Sequence, residues 1–382
     1  MEKSTVSVTI CKTYDEESVF SAVKAGVDAI GGIGAFVKQG EKILLKPNFI
    51  YPAEADRALT THPAVIKAAC RLLSEEGFAN VKVGDSPGNG SCRTAAKRLN
   101  ISDENLYGAK LADMSVEKTV PFKEGRVCKN FHFTEEAAEA DAIIGLCKMK
   151  THMLERVTGG VKNMYGLICG HRKALGHVSY PTAVKFAKLL TDIHRATPQR
   201  LHIMDGIVAM EGNGPASGDP VDMGLILASS DPVAMDTVFC WLVNLSPHLV
   251  PTNIQGERAG IGTSQEKNIE VKLVDGEQVT VVSREELFRR CGNPDFDVCR
   301  DAENKKSPLG ILSQIAGGSR KPVIDGNKCV KCGICVEHCP VEGKAVDFRN
   351  GRQNPPAYDY KKCIRCYCCQ EMCPQKAISV KK

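Results

Sequence analysis

Two runs of closely spaced cysteines are the residues best suited to chemistry in this 382-residue chain. They are CVKCGICVEHCP (329–340) and CIRCYCCQEMCP (363–374), and both follow the pattern C-x2-C-x2-C-x3-C-P. Three cysteines separated by two residues can wrap one corner of an iron–sulfur cube, and a fourth ligand comes from elsewhere. The second run begins 34 residues after the first, and Asp359 repeats Asp325 just upstream. The segment is therefore an internal duplication that predicts two [4Fe–4S] clusters.

This spacing resembles that of bacterial-type two-cluster ferredoxins over residues 322–382. In those proteins the fourth cysteine of each run ligates the other cluster. The resemblance therefore assigns one cluster to Cys329, Cys332, Cys335 and Cys373, and the other to Cys363, Cys366, Cys369 and Cys339. A four-cysteine zinc site is the alternative, which two complete runs disfavour. Cys368 lies outside the pattern and is expected to be a buried thiol, although an exchange with Cys369 as the ligand is left open.

A second group of reactive side chains follows an apolar, strand-like segment, in KMKTH (148–152) and GGVKN (159–163). Lysines supply positive charge, and an asparagine amide adds a hydrogen-bond donor. We predict that four catalytic side chains converge on a carboxylate, phosphate or enolate: Lys150, His152, Lys162 and Asn163. A desolvated lysine or the histidine would then donate a proton. The alternatives are a solvated basic loop, or a metal site built from Cys147, His152, Cys169 and His171.

Polar residues at the ends of other apolar segments predict further groups around the same site. In α/β sheets, functional groups collect at the carboxyl ends of the strands. Five cofactor-binding candidates stand at such positions: Lys46, Asn48, Asp85, Asp205 and Glu211. Glu211 precedes GNGP (212–215), which is expected to be a mobile turn or a lid that carries this carboxylate. Asp231 is predicted to cap a helix, and Asp236 to face either the cleft or solvent.

The segments that must position these groups alternate short apolar strands with amphipathic helices. VSVTI (6–10) is typical of a strand, and residues 16–39 are typical of a helix. This alternation predicts an α/β fold with helices around a mostly parallel sheet. We expect this domain to span residues 1–320, with a candidate break near 180–200. A small α+β domain that resembles two-cluster ferredoxins is expected to span residues 321–382.

The composition is that of a soluble globular protein, with 43% hydrophobic residues, 25% charged residues and a formal net charge of +5. Eighteen cysteines without a signal peptide indicate metal binding rather than disulfides. No apolar run could span a membrane, so we expect a cytoplasmic protein without membrane contact. Bound clusters would offset the positive charge, so no nucleic-acid partner is expected. No P-loop or G-x-G-x-x-G motif predicts ATP or NAD, which leaves room for an unidentified organic cofactor.

Several motifs in the large domain together resemble one known family. They are LLKPN (44–48), THP (61–63), VGDSPG (83–88), KMKTH (148–152), GGVKNMYG (159–166), DGIVAMEGNGP (205–215) and SSDPVAMD (229–236). Over residues of about 40–240, this set is similar to domain-of-unknown-function family 362. Members of that family are commonly fused to two-cluster ferredoxin modules. The resemblance implies a shared α/β core and a shared site, but it does not supply a reaction.

The combination of clusters and a basic cleft predicts an iron–sulfur oxidoreductase. Electrons would enter from a ferredoxin-like or other redox partner and pass to a small anionic or carbonyl-bearing substrate in the α/β cleft. The alternative is an electron carrier, or a redox-responsive protein that binds a ligand or partner without catalysis. A small molecule bound in the cleft of the purified protein would favour the enzyme.

Overall fold

The computed structural model describes residues 3–301, 320–349 and 351–381. Its strands are β1 (Ser4–Ile10), β2 (Ile43–Lys46), β3 (Val81–Val83), β4 (Lys110–Leu111), β5 (Glu117–Pro121), β6 (Asn130–Thr134), β7 (Ala142–His152), β8 (Arg156–Thr158), β9 (Gln199–Glu211), β10 (Asp219–Ser229), β11 (Ile269–Asp275), β12 (Gln278–Val282), β13 (Lys321–Ile324), β14 (Val346–Asp347), β15 (Ala357–Tyr358) and β16 (Ile378–Lys381). Its α-helices are α1 (Glu16–Asp28), α2 (Pro63–Glu75), α3 (Cys92–Arg98), α4 (Glu135–Glu139), α5 (Gly160–Asn163), α6 (Gly170–Ser179), α7 (Ala183–Ala196), α8 (Pro232–Leu242), α9 (Pro251–Ala259), α10 (Arg284–Cys291), α11 (Ile334–Glu337) and α12 (Cys368–Glu371).

One large sheet forms the centre of the N-terminal domain. Its strand order is β12-β11-β1-β10-β9-β7-β2-β3-β4, and β8 pairs with the far end of β7. The five strands from β9 to β4 run parallel to one another. The next strand, β10, is antiparallel to both β9 and β1. The predicted α/β class with a mostly parallel sheet is therefore confirmed, and the parallel part is the part that carries the candidate residues.

Burial explains why this sheet forms from these residues. All eleven residues of β7 are buried, as expected for a central parallel strand that is covered on both faces. Helix α8 is buried along its whole length, which fits its strongly apolar sequence VAMDTVFCWL (233–242). In the described part of the chain, no helix is both long enough and apolar enough to cross a bilayer.

One helix of the large domain is shorter than the sequence predicts. The helix predicted for 16–39 ends at Asp28, because Gly31 and Gly32 adopt φ angles of 119° and 77° that end it. Near the candidate break at 180–200, helix α7 leads into β9, which pairs with β7. The predicted domain boundary at 320 adjoins residues 302–319, which lie outside the described residues.

The C-terminal domain is built from two similar halves. Strand β13 pairs with β16, and β14 pairs with β15. Each half contains one short helix, α11 or α12, within its cysteine run. This arrangement confirms the predicted small α+β domain.

Helix α8 also fixes the loop that carries two of the predicted catalytic residues. Its cap is Asp231, as predicted, which accepts hydrogen bonds from the backbone of Val233 and Ala234. One turn later, Asp236 accepts from Gly160 N–H (2.7 Å) and Val161 N–H (3.2 Å) at the start of α5. The Asp236 carboxyl is 1% exposed, and its burial raises its pKa to about 7. Asp236 therefore supports the site from behind and does not face solvent.

Replacing Asp236 by Asn should change how stability depends on pH. In the folded protein the pKa of Asp236 lies well above the usual carboxyl value of 3.8, so the unfolded chain loses this proton at lower pH than the folded protein does. The free energy of unfolding therefore falls as the pH rises towards about 7. The asparagine side chain would keep one amide-oxygen acceptor and lose this titration. We expect the stability of Asp236→Asn relative to wild type to increase by about 1 kcal/mol between pH 6 and pH 8. Anaerobic urea unfolding at both pH values measures this; a constant difference would contradict the assignment.

Candidate functional site

A cavity of about 450 Å³ lies between the two domains. The large domain lines it with polar residues that include Lys46, Asn48, Asp85, Lys162, Asn163, Lys173 and His177. The C-terminal domain lines it with Glu337, His338, Cys368, Glu371 and Met372. The cavity therefore joins the strand ends of the α/β sheet to both cysteine runs, with Glu337 and His338 from the first and Cys368, Glu371 and Met372 from the second.

Lys46, Asp85 and Asn163 form one closed group in the cavity wall. The ammonium of Lys46, at 0% exposure, lies 2.9 Å from Asp85 Oδ1 and donates to Asn163 Oδ1 (3.0 Å) and to the Pro47 carbonyl (2.7 Å). Asn163 donates in return to the Lys46 carbonyl (3.1 Å). Burial opposes the ionisation of Asp85, but the Lys46 ammonium holds the pKa of this carboxyl below its usual range. The three hydrogens of the Lys46 ammonium already have partners, so this group shapes the wall.

Lys150 lies beneath the cavity wall. It is fully buried and donates to Asn48 Oδ1 (2.6 Å) and to the Leu59 carbonyl (2.6 Å). Burial, and then the positive charge of Lys162, lower the pKa of Lys150 well below its usual value. Asn48 reaches the cavity and Lys150 holds its side-chain oxygen, so Lys150 positions a wall residue from below.

His152 connects the two domains. Its Nδ1 accepts hydrogen bonds from the N–H groups of Leu154 (3.1 Å) and Glu155 (2.9 Å), so the ring hydrogen of the neutral form is on Nε2. Nε2 then donates to Glu371 Oε1 (2.8 Å) in α12. Burial lowers the pKa of His152 to about 4, which keeps the ring neutral. Both ring nitrogens are occupied, and the side chain is not on the cavity wall.

Lys162, Lys173 and His177 are the basic groups best placed to meet a ligand. Lys162 lines the cavity and forms no hydrogen bond or ion pair with any residue that the structure describes. Lys173 donates to the Ser86 carbonyl, and desolvation lowers its pKa to about 8. His177 is 6% exposed, and its Nδ1 has no hydrogen-bond partner within the described ranges. In the sequence, Lys173 and His177 belong to the basic stretch HRKALGH (171–177), which no motif marks as a site.

Two of the predicted cofactor-binding residues lie away from the cavity. Asp205 is fully buried and is paired with Lys148 (2.7 Å) and with the Tyr14 hydroxyl (2.8 Å). Glu211 Oε2 accepts from the backbone N–H of Asp297 (2.8 Å). Neither carboxylate lines the cavity, so the structure does not bring these two predicted residues to it. Asp205 lies in the middle of β9, where it is paired with Lys148, and Glu211 is the last residue of β9.

The GNGP loop, for which the sequence left a mobile turn or a lid open, forms an interdomain contact. Asn213 donates to the Ile378 carbonyl (2.9 Å). Gln370, at 0% exposure, donates to the carbonyls of Asn213 (2.7 Å) and Gly214 (3.3 Å). These bonds hold the GNGP loop against the C-terminal domain. The sequence offered one signal for this docking: Gln370 stands where the first cysteine run has Val336.

The structure brings the predicted cluster ligands together across the duplication. Four cysteines line one small cavity: Cys329, Cys332, Cys335 and Cys373. In the second set, Cys339 packs in the same small core as Cys363 and Cys369. Burial and the neighbouring thiols of Cys366 and Cys339 raise the pKa of Cys363. The first set therefore lines a pocket that fits a 4Fe–4S cluster, and cysteines of the second set pack in the adjoining core. A cluster of this kind, when bound, exchanges single electrons.

The position of Cys368 favours Cys369 as the ligand. Cys369 Sγ accepts a hydrogen bond from the Tyr358 hydroxyl (3.1 Å) and packs with the other ligands. Cys368 instead lines the interdomain cavity. The exchange of these two cysteines, which the sequence left open, has no support in this packing.

The alternative metal sites fit the structure poorly. Within the described residues, no group of three or more Cys, His, Asp or Glu side chains converges closely enough to hold a single ion. Zinc would need its sulfur ligands about 2.3 Å from the metal, whereas a cube spreads them over its corners. The alternative site of Cys147, His152, Cys169 and His171 is also not assembled: Cys169 contacts the Phe133 carbonyl, and His171 contacts Glu117 (3.0 Å).

Removing the Asp85 charge should destabilise the protein strongly. Asp85→Asn leaves the Lys46 ammonium buried without its carboxylate, and we expect a loss of about 3–5 kcal/mol in the free energy of unfolding. Lys46→Met combined with Asp85→Asn removes both charges and should regain most of this loss. Anaerobic urea unfolding measures both variants. The matched control is Asp28→Asn in the exposed Lys24–Asp28 pair, which should cost less than about 1 kcal/mol. Equal effects at the two sites would contradict the structure.

The comparisons with known proteins agree with this architecture. The chain matches the family described as "Domain of unknown function (DUF362)" over residues 43–241. It matches "4Fe-4S dicluster domain" over residues 321–375. A thylakoid-associated protein from Synechocystis sp. is 34% identical over 263 residues, which cover 67% of this chain and 79% of that protein.

Two solved structures are similar at low sequence identity. The lactate racemase apoprotein from Thermoanaerobacterium thermosaccharolyticum has a TM-score of 0.39 and 14% identity, and covers 59% of this chain. A protein from Thermotoga maritima has a TM-score of 0.36 and 13% identity, and covers 57%. The chain spans 54% and 56% of the length of these two proteins. By its sequence matches, the chain belongs to the DUF362 family and carries a 4Fe–4S ferredoxin-type domain, which indicates an iron–sulfur protein with electron-transfer potential.

Proposed function

We propose that this protein is an iron–sulfur oxidoreductase that passes electrons from two [4Fe–4S] clusters to a small anionic or carbonyl-bearing substrate in the interdomain cavity. One observation carries the proposal. The cavity has Lys162 and Lys173 on one wall, and Cys368 and Glu371, which lie among the ligands of the second run, on the other. A ligand bound there would lie between a positively charged wall and the cluster of the second run.

The size and charge of the cavity define the class of substrate. A volume of about 450 Å³ suits a small molecule. Three lysines line it, but so do three carboxylates: Asp85, Glu337 and Glu371. Lys46 is already paired with Asp85 inside the wall. This balance favours a substrate with a single negative charge, such as a small 2-oxo acid, over a polyanion.

Lys162 is the residue that we propose to act on the substrate. Its ammonium is free of partners among the described residues and reaches the cavity, so it can bind a carboxylate or polarise a carbonyl oxygen. Reduction of a carbonyl to an alcohol consumes two electrons and two protons. Two bound clusters would supply one electron each. Lys162 can protonate the oxygen, and Lys173, with a pKa of about 8, can supply the second proton.

The other predicted catalytic residues then act as positioning residues. Lys150 holds Asn48, and Asn163 holds the Lys46 ammonium. His152 holds Glu371 and therefore the docked C-terminal domain. From the sequence, one of the lysines or His152 is expected to donate the proton, and this division gives the role to the lysines Lys162 and Lys173.

The route of the electrons is also part of the proposal. Cys332 of the first run is exposed, and its neighbour Val330 is 60% exposed. A ferredoxin-like or other redox partner can approach the first cluster here, and the second cluster faces the cavity. An organic cofactor in the cavity and a cytoplasmic location also remain proposals.

The second candidate function is redox-responsive binding without catalysis. It is favoured by the direct hydrogen bonds between the second cysteine run and the α/β domain, made by Gln370 and Glu371. A change of charge on the nearby cluster would change the strength of these hydrogen bonds and the affinity of the cavity for a ligand. In this case the ligand would bind but would not be reduced.

Lys162→Ala should separate these functions. Holoprotein reduced with dithionite and freed of excess reductant is mixed anaerobically with a panel of small 2-oxo acids, beginning with pyruvate. We expect one of them to reoxidise the wild-type clusters, and Lys162→Ala to lower that rate by about 100-fold because the charge on the carbonyl oxygen loses its partner. The visible absorbance of the clusters measures the rate, and iron content should be unchanged.

Lys67→Ala is the matched control, because Lys67 is paired with Glu16 away from the cavity and should not affect the rate. Mass spectrometry of small molecules released from the purified protein identifies a bound ligand or organic cofactor. Equal rates in wild type and Lys162→Ala would remove Lys162 from the reaction. Binding of a 2-oxo acid without reoxidation would favour the redox-responsive binding protein.

A further inference from the structure

The internal duplication allows the surroundings of the two cluster sites to be compared residue by residue. Tyr358 precedes Asp359, and the residue 34 positions earlier, Ile324, precedes Asp325. Both side chains pack against the core of ligand cysteines. The Tyr358 hydroxyl donates to Cys369 Sγ at 3.1 Å. Ile324 lines the cavity of the first ligand set and has no hydrogen to donate. The bond from the Tyr358 hydroxyl to a ligand sulfur is therefore present at the second site, and Ile324 cannot make it at the first.

A hydrogen bond of this kind affects the reduction of a cluster. One-electron reduction adds a negative charge that is shared with the ligand sulfurs, and a donor to sulfur is bound more strongly in the reduced state. A donor at one cluster and an alkyl group at the other therefore separate the two reduction potentials.

We propose that Tyr358 raises the reduction potential of the cluster held by Cys363, Cys366, Cys369 and Cys339 relative to its value without this hydroxyl, and so favours an electron on the side of the interdomain cavity. The proposal requires that both clusters are bound. It does not depend on the identity of the substrate or on the reaction proposed above.

The ligand cysteines of the two sets also differ in burial, which affects the reduction potentials of the clusters. Cys366 and Cys369 are buried, whereas Cys332 of the first set is exposed. Burial disfavours the extra negative charge of a reduced cluster and lowers its potential. The domain that covers the second run thus makes this cluster harder to reduce. The hydrogen bond from the Tyr358 hydroxyl raises the reduction potential of the second cluster and so opposes the effect of burial.

The control variant is provided by a neighbouring tyrosine. Tyr360 stacks on Tyr358 with ring centroids 5.6 Å apart, but its hydroxyl donates to the Pro322 carbonyl (2.9 Å). Tyr360→Phe removes a hydroxyl from the same stack without removing a bond to sulfur. Any effect of Tyr358→Phe that is absent in Tyr360→Phe therefore comes from the O–H···S bond.

The test is an anaerobic dithionite titration of the full-length holoprotein, followed by electron paramagnetic resonance. In Tyr358→Phe we expect the midpoint potential of one cluster to fall, and the midpoint potential of the other cluster to stay unchanged. Tyr360→Phe should leave both midpoints unchanged. Unchanged midpoints in Tyr358→Phe, or equal shifts of both, would overturn the proposal.

The reciprocal variant Ile324→Tyr places a hydroxyl at the first ligand set. It should raise the midpoint of the step that Tyr358→Phe leaves in place. A shift of the same step in both variants would overturn the proposal. If Tyr358→Phe fails to retain its iron, Ile324→Tyr decides alone: a rise in one midpoint supports the role of this position, and two unchanged midpoints contradict it.

Discussion

The hydrogen bond from His152 Nε2 to Glu371 Oε1 joins the last residue of the central strand β7 to the helix inside the second cysteine run. It is a bond between a neutral ring and a carboxylate at a buried interface, where leaving either partner unpaired would be unfavourable. The bonds from Gln370 to the GNGP loop reinforce it. Together they place the cysteine run against the strand ends of the sheet, and the cavity exists only because these two surfaces meet.

The charges around the cavity show how the domain tolerates so many buried ionisable groups. Lys46 is neutralised by Asp85, and Lys148 by Asp205, in pairs whose side chains are 3% exposed or less. Lys150 has no carboxylate partner among the described residues, and its pKa is lowered by burial. Lys162 differs because it reaches the cavity without a partner in the described part of the chain. An ammonium that lines the cavity without an ion pair to a described residue can select a ligand by a single strong contact.

The features that could be predicted from sequence are those set by local spacing. The cysteine runs are such a feature, because a cluster is wrapped by residues that are near in sequence. The α/β class and the Asp231 cap also follow from short patterns. The burial of Lys150 and His152 depends on which strands neighbour β7, and local sequence does not show this. Glu371 cannot be singled out either, because the matching position of the first run is also a glutamate, Glu337. Gln370 in place of Val336 is a local difference between the two copies, but it does not show which surface of the sheet is contacted, so the interdomain cavity required the structure.

The central claim is that the cluster of the second run lies beside this cavity. Anomalous X-ray scattering at the iron edge, from crystals of the anaerobic holoprotein, locates the iron atoms directly. We expect one group of four iron atoms among Cys339, Cys363, Cys366 and Cys369, with the helix Cys368–Glu371 between this group and Lys162. The absence of iron from these four cysteines, or a C-terminal domain separated from His152, would contradict this placement.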